Sequence, residues 1–290
     1  MISFKVKDKD VGKRLDIFVI ENIPELTRGY VKSLIDRSEI LLNDQPAKAG
    51  ERLKAGNNVS ILYDLARIHE IPAIELPIIY EDDDCLVINK PVGVLTHSKG
   101  SFNPEATVAT FIKDKVTGMA GDRAGIVHRL DRATSGVIIG AKSPEALAWL
   151  QKQFSTRKVH KTYQAIVAGH IDPPEAIIDM PIERNPKKPQ SFRVGAGGRP
   201  ATTHYKTLTQ TTGFSLVELK PTTGRTHQLR VHLSQIGHPI VGDSVYDGQP
   251  ADRLYLHALS LELTLPNRER KTFSAPLPTQ FKEFLKSHDL

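Results

Sequence analysis

Cysteine is nearly absent from this chain. Cys85 stands alone among 290 residues, which excludes an internal disulfide and any zinc site built on several thiolates. No apolar run reaches the ~18 residues that a membrane-spanning helix needs, and the charged opening, MISFKVKDKD, lacks the apolar centre of a secretory signal. A cytoplasmic location with no membrane partner is therefore expected. The Walker A loop and the G-x-S-x-G nucleophile elbow are also missing. Gly195-Ala196-Gly197-Gly198 is glycine-rich, but Arg199-Pro200 and a strand-like run follow it instead of a helix, so it fails the context test for dinucleotide binding. Histidine is plentiful at 11 residues, yet His227 and His232 lie five apart, the wrong spacing for two ligands on one helical face. No metal is expected.

What the chain does contain is ordinary for a soluble protein, 39% hydrophobic and 25% charged, with length enough for about two domains. Lysine and arginine number 39 against 33 acidic residues, a net of +6, and the sequence pI is near 9.2. That is one footprint of a polyanionic partner such as nucleic acid, although many enzymes without one are as basic.

Residues 1–64 read as a small basic α+β unit. Leu15, Phe18 and Val19 recur at helical spacing, as do Val31, Leu34 and Ile35 behind Thr27, a residue suited to cap a helix. Ile40-Leu41-Leu42 and Val59-Ser60-Ile61-Leu62 read as strands, with a turn-like Asn43-Asp44-Gln45-Pro46 after the first. Arg28 and Lys32, four apart, share one helix face, as charges on a merely solvated face also do. Lys13-Arg14-Leu15-Asp16, Thr27-Arg28 through Leu34-Ile35, and Leu41-Leu42-Asn43 together resemble an S4-type RNA-binding domain over about residues 12–62. The resemblance departs from that family at Ser38-Glu39, where a glycine is usual. It implies RNA phosphate contacts from Arg14, Arg28, Lys32 and Arg37.

Residues 65–78, with Pro72 and Pro77, read as a linker, and residues 79–290 as a larger domain. Cys85 to Asn89 is a short buried strand, and the Asp82-Asp83-Asp84 triplet before it reads as a solvated turn rather than a cation site. Further strands are expected at Gly136 to Ala141, Tyr163 to Ala168 and Phe214 to Leu219. Ser143 and Pro144 open a helix with Leu147, Leu150 and Phe154 on its buried face. Thr226 to Ile236 predicts another, with Leu229, Leu233 and Ile236 on one side and Gly237 and Pro239 as stop signals. No regular βα alternation and no repeat appear, which points to an α+β domain with a mixed sheet.

The segment richest in chemistry is His128-Arg129-Leu130-Asp131-Arg132-Ala133-Thr134-Ser135-Gly136, just ahead of an apolar strand. Positive charge from Arg129 and Arg132 favours an ionised Asp131, which can serve as nucleophile or general base. On spacing alone the same cluster serves equally well as a structural set of ion pairs.

That segment resembles the signature of the RluA family of RNA pseudouridine synthases. Asn89-Lys90-Pro91 with Val94 is similar to the family's first motif, and Lys161-Thr162-Tyr163-Gln164-Ala165 to its tyrosine-bearing strand. Gly224 through His232 resembles the arginine-bearing motif, continued by Gly237-His238-Pro239-Ile240 and Gly242-Asp243. These motifs stand in family order over about residues 79–290, behind an S4-like segment as is usual for the family. The resemblance implies a mixed, mostly antiparallel sheet in the catalytic domain, and isomerisation of uridine to pseudouridine without a cofactor. It implies a catalytic Asp131, Arg225 paired with it, and Tyr163 against the target base. Arg129 would fill the place of the extruded nucleotide, and Leu229 would pack under the base. Large-subunit ribosomal RNA is the expected partner, with transfer RNA the alternative, and a monomer is expected. Two rivals differ in kind. A binding-only assembly factor would keep the fold, and a carboxylate-based glycoside or nucleoside hydrolase would need a second carboxylate beside Asp131, which the local motif lacks.

Overall fold

Leu15, Phe18 and Val19 meet Val31, Leu34 and Ile35 in one buried cluster, as their spacing predicts. They belong to helices α1 (Leu15–Asn22) and α2 (Arg28–Asp36), and the Thr27 side chain caps α2 by accepting from the Tyr30 amide at 3.4 Å. The computed structural model describes residues 2–64, 71–98, 105–121 and 123–290. The chain divides into two units, residues 1–73 with 98–106, and residues 74–97 with 107–290. Residues 65–70 of the expected linker lie outside the described residues.

In the first unit, β1 (Ile2–Lys5), β2 (Ile40–Leu42), β3 (Gln45–Pro46) and β4 (Asn58–Ile61) form an antiparallel sheet in the order β1-β4-β2-β3. Asn43 and Asp44 turn β2 into β3 with φ of 51° and 59°, the paired left-handed conformation that a two-residue hairpin needs. Ser38 also takes a left-handed φ of 59°, at a conformational cost of about 1 kcal/mol.

The second unit is built on a nine-stranded sheet. Its strands are β5 (Ile78–Glu81), β6 (Cys85–Lys90), β7 (Ser135–Ala141), β8 (His160–Ala168), β9 (Glu175–Asp179), β12 (Thr202–Gln210), β13 (Phe214–Pro221), β14 (Leu256–Thr264) and β15 (Arg270–Ser274). The order is β5-β6-β7-β14-β8-β13-β12-β9, with β15 on β14. Only β7 and β14 run parallel, so the sheet is mixed and mostly antiparallel. A small hairpin, β10 (Ile182–Arg184) with β11 (Phe192–Val194), lies outside it. Helices α3 (Val108–Lys113), α4 (Pro144–Ser155), α5 (Gln228–Gln235) and α6 (Thr279–Ser287) complete the unit. Ser143 caps α4 as its position predicts, accepting from the Ala146 amide at 3.2 Å. Helix α5 starts two residues later than expected, because His227 takes a left-handed φ of 57°. Asp82 Oδ1 accepts from the Asp84 and Cys85 amides at 2.9 and 2.7 Å, so the acidic triplet is a turn closed by its own carboxylate.

One feature of the sheet places the chemistry. Strand β7 pairs with β14 only at Ser135 and Gly136, and β15 takes the same edge of β14 from Ser260 onward. At Gly136, with φ of 113°, a Cβ would sit 2.1 Å from the Ala258 carbonyl oxygen. Only glycine permits that approach, and it fixes the segment 128–134 at the middle of the sheet. Among the described residues no helix is long and apolar enough to cross a membrane.

Candidate active site

Asp131 is held by the backbone on both sides of it. Before it, Thr96 Oγ1 accepts from the Leu130 amide at 3.1 Å and donates to the Leu130 carbonyl at 2.8 Å. After it, the Arg132 carbonyl accepts from the Gly93 amide at 2.8 Å and from Lys90 Nζ at 3.3 Å. Lys90 is fully buried, and Nζ also donates to the Pro91 and Val94 carbonyls, both at 2.9 Å. Three carbonyls thus match the three protons of an ammonium, while burial pushes the Lys90 pKa down to about 7. His128 is fixed by stacking on Phe154, with ring centroids 4.6 Å apart, and Nε2 accepts from the Ile139 amide at 3.1 Å. Burial lowers its pKa to about 3, so His128 is a neutral structural acceptor at physiological pH.

The opposite wall is the turn from Thr223 to Gln228, which leads into α5. Gln228 Oε1 accepts from Thr223 Oγ1 at 2.7 Å and from the Arg225 amide at 3.0 Å. Its Nε2 donates to the Thr202 carbonyl and to Thr203 Oγ1, both at 3.0 Å. One buried amide therefore locks the turn to β12 with four hydrogen bonds.

The carboxylate of Asp131 is about one-fifth exposed and faces two side-chain nitrogens. Arg230 Nη1 lies 3.5 Å from Oδ2, and His227 Nε2 lies 3.8 Å from the same atom. Oδ1 accepts no hydrogen bond among the described residues. Arg230 is buried and anchored by Asp243, with Nε to Oδ2 and Nη2 to Oδ1 both at 2.7 Å, the strong two-pronged geometry of an arginine–carboxylate pair. Asp243 is positioned in turn by the Val245 and Tyr246 amides at 3.0 and 3.2 Å.

The expectation that Arg225 pairs with Asp131 is therefore corrected, since Arg230 occupies that place. Arg225 lies in the turn before α5, where its Nε donates to the Pro200 carbonyl at 3.0 Å, whereas Arg230 stands on the first turn of the helix facing the Asp131 loop. The misreading had a signal against it. Residues 228–233 of α5 are all buried, and a charge in such a helix needs a carboxylate partner, for which Asp243 was at hand. His227 was weighed only as a metal ligand, and Tyr246 was missed outright.

Asp131, Tyr163, Arg129, Leu229 and Arg225 all line one cavity of about 570 Å³, together with Lys161, His227 and Arg230. That volume suits a small ligand or a flipped base. Tyr163, on β8, is raised well above the ordinary tyrosine pKa, first by burial and then by the charge of Asp131, so it is a neutral phenol at physiological pH. Lys161, two residues earlier, donates from Nζ to the Thr223 carbonyl at 3.2 Å, and burial lowers its pKa to about 8. Arg129 is exposed at the cavity wall, while Leu229 is buried. Among the described residues no three histidine, cysteine or acidic side chains are grouped to hold a metal ion.

The first unit carries the other candidate residues. Arg14 and Arg28 both grip the buried carboxylate of Asp16, Arg14 through Nε and Nη2 at 2.9 and 3.0 Å and Arg28 through Nε at 3.0 Å. They line a shallow concavity with Lys32 and Lys48. Arg37 stands apart from it, paired with Glu39 at 2.8 Å.

Comparison with known proteins places this arrangement. The family described as RNA pseudouridylate synthase matches residues 84–235. Ribosomal large subunit pseudouridine synthase D of Haemophilus influenzae is 33% identical, over 98% of this chain and 94% of that protein. The protein of the same name from Salmonella typhi is 34% identical, over 98% and 93%. Among solved structures, Human RNA Pseudouridylate Synthase Domain Containing 4 has a TM-score of 0.60 and 28% identity, over 73% of this chain and 93% of that one. Human RNA Pseudouridylate Synthase Domain Containing 1 has the same TM-score with 31% identity, over 71% and 86%. The chain belongs to the RNA pseudouridylate synthase family. Members of that family are isomerases acting on RNA, and the second unit has the fold of its solved structures.

Proposed function

We propose that this chain isomerises specific uridines to pseudouridine in large-subunit ribosomal RNA, with Asp131 as the reacting carboxylate. The observation that carries the reading is a carboxylate that faces Arg230 at 3.5 Å and His227 at 3.8 Å, in a cavity shared with Tyr163. The two curated relatives named above, each aligned over nearly the whole chain, bear the name of a large-subunit enzyme, which supports ribosomal RNA over transfer RNA.

The reaction breaks the bond from N1 of uracil to the ribose and makes one from C5. The C5 proton leaves and N1 gains a proton, so product and substrate have the same atoms. No second substrate is consumed, and no cofactor is called for by that balance. The base must leave the helical stack to be reached, at a cost of a few kcal/mol. Arg129, exposed at the cavity, is placed to fill the gap, and the neutral ring of Tyr163 gives the base a face to lie against. Leu229 supports the base from below. Asp131 presents Oδ1, while Arg230 keeps the carboxylate from turning away.

Residues 1–64 serve in this reading as an S4-like RNA-binding domain, residues 65–78 as the linker and 79–290 as the catalytic domain. Arg14, Arg28, Lys32 and Arg37 would contact phosphates, which raises affinity without reading sequence.

Pseudouridine mapping of total RNA from cells with and without the gene tests both reaction and target. The reading requires large-subunit uridines that lose the modification in the deletion and regain it with the wild-type gene. Loss confined to transfer RNA would move the substrate. Unchanged maps, together with no product from purified protein on unmodified transcripts, would leave the binding-only reading.

A further inference from the structure

We propose that Tyr246 fixes the tautomer of His227, so that an Nε2–H faces Asp131, and that both are positioning residues for the reacting carboxylate. The inference rests on Asp131 being that carboxylate.

His227 occupies a left-handed backbone position, φ 57°, immediately before α5, where a β-carbon is disfavoured and glycine or asparagine would fit with less strain. Its side chain makes use of that position. Nδ1 lies 2.8 Å from the Tyr246 hydroxyl, and Nε2 lies 3.8 Å from Asp131 Oδ2. The ring is therefore threaded between a phenol and the carboxylate, with one nitrogen toward each.

The direction of the hydrogen bonds follows from the donors available. Tyr246 is buried, and its hydroxyl oxygen accepts from the Phe192 amide at 2.9 Å. The hydroxyl has one proton to donate, and His227 Nδ1 is its acceptor among the described residues. A buried hydroxyl proton left unspent is disfavoured, so it goes to Nδ1. An imidazole that accepts at Nδ1 carries its proton at Nε2, the nitrogen aimed at Asp131.

Three further contacts hold the phenol in place. Arg230 lies over its ring at 5.0 Å from the centroid, Asp243 Oδ1 accepts from the Tyr246 amide at 3.2 Å, and the ring meets that of His227 edge-on at 5.6 Å. Among the described residues, the charged and titratable groups around His227 and its phenol partner are Asp131, Tyr246, Arg230 and Asp243. Arg230 and His227 converge on the same oxygen of Asp131. The consequence is directional: two N–H donors toward Oδ2 leave Oδ1 as the oxygen presented to the uridine. At 3.8 Å the His227 contact is longer than a hydrogen bond, so it biases the rotation of the carboxylate without clamping it.

The test is the tautomer itself, read by two-bond nitrogen–proton correlation on the full-length protein labelled with ¹⁵N-histidine, with His227 assigned by the signal missing in His227→Gln. At neutral pH the proposal requires a neutral ring with the proton on Nε2. In Tyr246→Phe, which keeps the ring over which Arg230 lies and removes only the hydroxyl, that pattern should give way to exchanging tautomers. On RNA substrate Tyr246→Phe should lose about tenfold in kcat with KM changed less than twofold, and the double variant should be no slower than His227→Gln. A wild-type His227 protonated at Nδ1, or a doubly protonated ring at neutral pH, would overturn the proposal, as would a Tyr246→Phe kcat within twofold of wild type. Should Tyr246→Phe fail to fold by circular dichroism, the wild-type signal decides alone. A wild-type protein with no isomerase activity would instead count against Asp131 as the reacting group and leave the tautomer assignment standing.

Discussion

The guanidinium of Arg230 joins two carboxylates, Asp243 through a pair of 2.7 Å hydrogen bonds and Asp131 at 3.5 Å. The first contact is structural and the second faces the cavity, so one side chain carries the rigidity of the core to the carboxylate proposed to react. Arg225, five residues earlier, makes neither contact.

That difference separates the two arginines experimentally. Arg230→Met should abolish detectable pseudouridine formation and destabilise the fold by about 3–5 kcal/mol, because Asp243 is left as an unpaired buried charge. Arg225→Ala should leave the thermal transition within a degree or two and lower activity by less than about tenfold, since its main contact is a single hydrogen bond to a carbonyl. Urea unfolding and steady-state turnover on the same preparations check both. Equal losses for the two variants would contradict the assignment.

Gly136→Ala addresses how the sheet places the loop that carries Asp131. The new methyl would meet the Ala258 carbonyl at 2.1 Å, on a backbone with φ of 113°. A loss of at least about 3 kcal/mol is expected from the clash and the strained backbone together. A stable Gly136→Ala protein with unchanged activity would mean that β7 and β14 do not approach so closely.

Lys90→Met tests the buried ammonium. Removing it leaves the Pro91, Val94 and Arg132 carbonyls without their shared donor, and a penalty of about 3 kcal/mol is expected, read by calorimetry. The Arg132 carbonyl adjoins Asp131, so turnover should fall together with stability. A fully stable variant would show that the three carbonyls find other partners.

Much of this framework was legible in the sequence, for identifiable reasons. Helices α2 and α4 carry both a capping side chain and an apolar stripe, and each appears where those signals place it. Strand β7 could be read because Gly136 to Ala141 is an apolar run, in keeping with the burial of all seven of the strand's residues. The start of α5 was misplaced, because nothing in Thr226-His227 announces a left-handed histidine. The same turn decides which arginine meets Asp131, so the error in local structure became an error in the site. Tyr246 was invisible for a different reason. It is far from His227 in sequence and joins it only through a hydrogen bond across the fold.

Acid should loosen the first unit in a defined window. Hydrogen bonding from Arg14, opposed by burial and aided by Arg28, holds the Asp16 pKa at about 2, below its ordinary 3.8. A carboxylate with a depressed folded pKa stabilises the fold fully above its unfolded value, and the contribution is lost as pH falls through the folded one. The window is therefore from about 4 down to 2. The size is at most about 2 kcal/mol, reduced because water reaches both arginines, whose side chains are 39% and 59% exposed. Urea unfolding of wild type and Asp16→Asn should differ at pH 7 and converge toward pH 2. A constant difference across that range would contradict the role given to Asp16.

The central claim, that Asp131 drives isomerisation of uridine, is tested most directly with RNA carrying tritium at C5 of uridine. Joining C5 to the ribose expels that hydrogen, so each pseudouridine formed releases one tritium to water. Purified wild-type protein should release it from a large-subunit ribosomal transcript. Asp131→Asn should bind the same RNA with affinity within a few-fold of wild type and release none. Tritium release by Asp131→Asn at a rate within tenfold of wild type would contradict the account.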